Sequence, residues 1–89
     1  MKPTPFPLES LQAVTAALDN PSTSFAQVAN LIEQEPAMAS VVLHHSNTLR
    51  FAGRERTRSV QAAVLRLGKS NARRLLLEAS IVALVARAA

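Results

Sequence analysis

His44 and His45 are the two imidazoles available to this 89-residue chain for metal binding or for proton transfer near neutral pH. They are adjacent in sequence. On a helix, neighbours point about 100° apart, so the pair cannot aim at one ion. A helical zinc site needs histidines at i and i+4 with a carboxylate nearby, and that pattern is missing. A serine nucleophile needs a histidine base and an acid to orient it. Asp19 is the one aspartate, however, and the glutamates are scattered, so no triad is expected. Glu33 and Glu35 are the closest carboxylates, at a helix end where a solvated or capping role suits them. Gly53 and Gly68 lie too far apart to build a phosphate-cradling loop. The expectation is a protein with no catalytic residues, no metal site and no cofactor. His45 is expected to be half-buried and His44 to lie on the surface.

The elements around these residues read as helices. Apolar residues make up 48% of the chain with only three aromatics, so the core must come from Leu, Val, Ile and Ala, which favours helices wherever Ala and Leu dominate. A first helix over about residues 8–19 stops at Asn20-Pro21. A second opens at Ser24, which forms a capping-box pattern with Gln27. A third starts at Pro36 and fades before Gly53. Ser59 caps a short fourth helix that Gly68 closes, and after Lys69-Ser70 a fifth runs towards Arg87. The fold expected is therefore all-α, a compact bundle of about five helices. It would form one domain over residues 1–89, with residues 1–7 as a proline-rich lead-in and residues 8–88 as the bundle.

Charge is concentrated in the middle. Residues 1–49 sum to −3, residues 75–89 to zero, and residues 50–74 to +7, with eight bases facing only Glu55. Arg54, Arg56, Arg58, Arg73 and Arg74 are the candidate contacts to phosphate or to an acidic partner. A solvated basic face remains open as the alternative. Residues 59–77 also imitate a helix-turn-helix, although Val64 stands where such motifs often carry alanine and the second helix soon becomes wholly apolar.

That apolar stretch, Leu75 to Ala86, is broken by Glu78 and Ser80 and is too short to span a bilayer. A helix apolar on all sides needs cover on all sides, and four shorter helices cannot supply it. Leu76, Val82 and Val85 are therefore the candidate interface for a protein partner or a second copy of the chain. The chain has no cysteine, and its N-terminus lacks the apolar core of a signal peptide; both fit the cytoplasm, with no membrane association.

Several segments in order carry a resemblance. They are Phe6-Pro7-Leu8, Asn20-Pro21, Ser24, Leu31-Ile32, Glu35-Pro36-Ala37-Met38, Val42-Leu43, Ser46-Asn47-Thr48, Phe51-Ala52-Gly53, Ser59-Val60, Ala63-Val64 and Leu67-Gly68. Together they resemble the HDOD family, the HD-related output domains. The resemblance spans nearly the whole chain and corresponds to the first half of that family's domain. Glu35 stands where the family usually has aspartate, Ser46 and Thr48 replace the alanine and serine around Asn47, and His44-His45 fill positions usually basic or aliphatic. The resemblance implies a helical module related to metal-dependent HD phosphohydrolases but without their ligands, used in bacterial signalling and regulation. Asn47 lies on the same helical face as Leu43, and a structural role follows: its amide would tie the third helix to the turn at Phe51-Ala52-Gly53.

The function expected is a non-catalytic regulatory module acting through protein–protein contacts, with nucleic-acid binding by residues 50–74 as the alternative. Titration calorimetry with manganese, zinc and magnesium is expected to find no specific site, and no phosphodiester should be hydrolysed. A stoichiometric submicromolar site would overturn this expectation.

Overall fold

The computed structural model describes residues 6–48 and 56–88, and within them the chain is all helix and connecting segment, without strands. The five helices are α1 (Leu8–Asp19), α2 (Phe25–Glu33), α3 (Pro36–Ser46), α4 (Val60–Leu67) and α5 (Lys69–Ala88).

Their boundaries follow from local chemistry. α1 ends at Asn20, in extended conformation ahead of Pro21. α2 begins with a reciprocal capping box: Gln27 N–H donates to Ser24 Oγ at 3.1 Å, and Ser24 N–H to Gln27 Oε1 at 2.9 Å. Pro36 takes the first position of α3, where a missing N–H costs no helical bond. Ser59 caps α4 by accepting from Ala62 N–H at 3.1 Å.

Gly68 is the whole connection between α4 and α5. Its N–H closes α4 on Val64 O at 2.7 Å, and its carbonyl accepts from Ala72 N–H at 3.0 Å to open α5. Its φ of +86° is a conformation that side-chain-bearing residues rarely adopt. A Cβ placed there would meet nothing within 4 Å, so the constraint is conformational and not one of space. A helix-turn-helix joins its helices by three or four residues. The one-residue junction found here departs from that expectation.

α4 packs on both α2 and α3, and α5 on α1, α3 and α4. The core is aliphatic: Val14 and Leu18 from α1, Val28, Ala29 and Ile32 from α2, Met38 and Val42 from α3, Val60, Ala63 and Val64 from α4, and Ala72 and Leu76 from α5. The two halves of α5 differ. Ala72 and Leu76 are fully buried, whereas Ile81, Val82, Leu84 and Val85 are 60%, 66%, 55% and 63% exposed. Among the described residues of the distal half, Ser80 and Ala83 are the buried ones. Leu76, expected in the interface, is thus a core residue, because the i to i+4 step from Ala72 keeps it on the inward stripe.

The same truncation at two places on α5 measures this asymmetry. Leu76→Ala should cost about 2–5 kcal/mol in urea unfolding, and Leu84→Ala about 0.5 kcal/mol or less at low protein concentration. Equal losses would contradict the placement of the helix.

Candidate functional site

The last turn of α3 is held by side chains. Ser46 Oγ–H donates to Leu43 O at 2.9 Å and Thr48 Oγ1–H to His45 O at 3.0 Å, adding side-chain donors to carbonyls at the end of the helix. Asn47 does more. Its Nδ2 donates to Leu43 O and to Thr57 O, both at 2.9 Å, and its Oδ1 accepts from Thr57 N–H at 2.8 Å. Arg66 Nη1 donates to Ser46 O at 3.1 Å and lies 3.5 Å from Asn47 Oδ1. A flipped amide would set Nδ2 against the Thr57 N–H and Oδ1 against two carbonyls, so the bonding pattern fixes its orientation.

Asn47 thus reaches beyond its own helix. It clasps the backbone of Thr57, just before α4; Phe51-Ala52-Gly53 lies outside the described residues. Sequence reading also missed Arg66, whose role at the clasp no local pattern announces.

The clasp fixes a basic segment. Thr57 is buried, and Arg56 and Arg58 on either side of it are exposed. Among the described residues no carboxylate pairs with either arginine. Across from them, Ser40, Leu43, His44 and Asn47 lie at i, i+3, i+4 and i+7 along one face of α3. Between the two walls runs an open groove of about 490 Å³. A second concavity of about 360 Å³ lies on the other side of the segment, against Ala62 and Arg66 of α4.

The remaining candidate cations lie elsewhere. Arg73 Nε is 2.9 Å from Asp19 Oδ1, an ion contact without an aligned hydrogen bond. Arg74 Nε is 3.8 Å from Glu78 Oε1 within α5. Both pairs are substantially exposed, where such contacts contribute about 0–1 kcal/mol. Lys69 Nζ donates to Asn20 O and Thr23 O and stands 5.4 Å from the Phe25 ring centroid. The first turn of α5 is thereby engaged with the α1–α2 connection. Arg54 lies outside the described residues.

The adjacent histidines serve different surfaces. His44 is exposed and lines the basic groove. His45 is half-buried, with Nδ1 2.9 Å from Val41 O, and lines a third concavity of about 310 Å³ with Leu75, Glu78, Ala79, Val82 and Ala83 of α5. Among the described residues no three His, Asp or Glu side chains converge to hold a metal ion, and no helix is long and apolar enough to cross a membrane.

The HDOD domain family model matches residues 4–89. The chain belongs to the HDOD domain family. No curated protein and no solved structure matches this HDOD domain significantly. Membership indicates a signalling-related output domain.

The clasp makes a sharp comparison. Asn47→Ala strands the Thr57 N–H and C=O and should cost about 2–4 kcal/mol, at about 1–3 kcal/mol per unsatisfied buried group, partly relieved by water. Thr57→Val leaves the backbone bonds in place and should cost less than about 1.5 kcal/mol. Urea titrations of both variants test this, and an Asn47→Ala variant as stable as the parent would remove the clasp from the account.

Proposed function

We propose that this HDOD domain is a non-catalytic regulatory module of the cytoplasm that acts by pairing with a second copy of itself through the distal half of α5. One observation carries this reading: four large aliphatic side chains, Ile81, Val82, Leu84 and Val85, are more than half exposed within five residues. Apolar patches of functional size on monomers cover about 300–600 Å². Two such patches, one per copy, would bury about 600–1,200 Å² in all, at the lower edge of specific interfaces. The expected dimer is therefore weak and concentration-dependent.

A second copy suits the surface because ridge and recess lie side by side on one helix. Val82 belongs both to the exposed ridge and to the wall of the apolar concavity beneath it. Two-fold pairing lets the ridge of each copy fill the recess of the other, which is how a self-complementary interface closes. A non-enzymatic role is supported by the divergence of the two histidines, which line different concavities. A nucleic-acid interface over residues 50–74 has less support, since Arg73 and Arg74 are ion-paired away from Arg56 and Arg58 and Lys69 is engaged by the protein.

Sedimentation velocity between about 5 and 500 µM is expected to show a monomer–dimer equilibrium in the micromolar range. Val82→Asp and Val85→Asp should each abolish the dimer while circular dichroism retains the helical signal. A compact monomer at the highest concentration would overturn the proposal.

A further inference from the structure

The basic groove against α3 shares no lining residue with the apolar concavity of α5 and has its own chemistry. We propose that it binds the phosphate group of a small, soluble phosphate monoester, with Arg56 and Arg58 as the paired cationic contacts and His44 and Ser40 as hydrogen-bonding groups on the facing wall.

Three observations lead there. The first is charge. A phosphate monoester carries about −1.5 to −2 at neutral pH, which two arginines neutralise, and no described carboxylate pairs with Arg56 or Arg58. The second is rigidity. The residue between the arginines is buried and has both backbone polar groups bound by Asn47 at 2.8 and 2.9 Å, so the two side chains project from a fixed segment and not from a loose loop. Residues two apart in any chain lie at most about 7 Å from each other, close enough for two guanidinium forks to meet on one oxyanion. The third is shape. The groove of about 490 Å³ falls within the size range of small-molecule sites, and a Ser40 hydroxyl and a His44 ring one helical turn apart line its other side.

The cation count decides between a small ligand and a polymer. A nucleic-acid-binding protein with a steep salt dependence makes about six to ten phosphate contacts. Among the described residues, only Arg56 and Arg58 of the arginines and lysines line this groove. Arg66 is turned to the Ser46 carbonyl, and Arg73 and Arg74 face Asp19 and Glu78. Among the described residues, that is enough for one phosphate group and too few for a strand.

The test is a two-dimensional amide NMR titration of the full chain with inorganic phosphate and with adenosine 5′-monophosphate. Adenosine and sodium chloride at matched ionic strength serve as controls. Both phosphate probes should saturate, moving the Thr57 amide and the Asn47 side-chain amide, and adenosine should move neither. Arg56→Gln and Arg58→Gln should each weaken binding at least tenfold, and Arg74→Gln should change it less than twofold. All three substitutions are at exposed positions, and unchanged dispersion elsewhere in the spectrum verifies the fold. The proposal fails if the shifts stay linear to tens of millimolar, if adenosine binds as well, or if Arg74→Gln weakens binding as much as Arg56→Gln. It fails too, in favour of nucleic acid, if a 20-base-pair duplex binds with a log–log salt slope steeper than about −3, since each phosphate contact contributes about 0.9.

Discussion

One side-chain amide sets the geometry of half the molecule. Asn47 binds the backbone of a residue ten positions later while capping its own helix, and so joins the end of α3 to the approach to α4. A buried stretch outside regular structure must find partners for its N–H and C=O groups, and an amide can serve both on one residue. Thr57 needs such a partner because it is buried without belonging to a helix. Three residues on, Val60 starts α4 inside the core. The clasp thus fixes where α4 begins and which way Arg56 and Arg58 face.

α4 passes that placement on to α5. It is only eight residues long, too short to be stable alone, and depends on burying Val60, Ala63 and Val64 against α2 and α3. Gly68 then changes direction within one residue, so α5 inherits its position from α4 with little slack. Twenty residues of helix extend about 30 Å. The shorter elements cover the first half, where Ala72 and Leu76 are sealed, and the distal half emerges apolar because every other described helix is shorter than α5.

What the sequence revealed divides along the same line. Pro36, the Ser24–Gln27 pair, Ser59 and Gly68 mark helix boundaries by chemistry that acts over four residues or fewer, and the helices start and stop where those residues stand. The exposed and half-buried positions of His44 and His45 followed from the apolar stripe of α3 in the same way. Contacts between distant segments left no such trace. Asp19 meets Arg73 across 54 positions, and Asn47 meets Thr57 across ten. Leu76 reads like its neighbours in a uniformly apolar run. Only the direction in which α4 delivers α5 separates the core position from the exposed ones.

The placement of the two histidines has a consequence for the surfaces. His44 reaches the polar groove and His45 the apolar concavity under Val82, because neighbours on a helix diverge by about 100°. Their rings meet edge to face at 5.4 Å. The final turn of α3 is therefore a wall common to two concavities of opposite character, one facing Arg56 and Arg58 and the other facing α5. That turn is bound to the bundle by Asn47 and by the Arg66 bond to Ser46 O, while Val42 and Ser46 bury its inner side. A displacement of the turn would move both walls together, since a helical turn shifts as a unit and packed interiors do not deform residue by residue. The clasp that orients the basic segment also holds the floor of the apolar recess in register with α5.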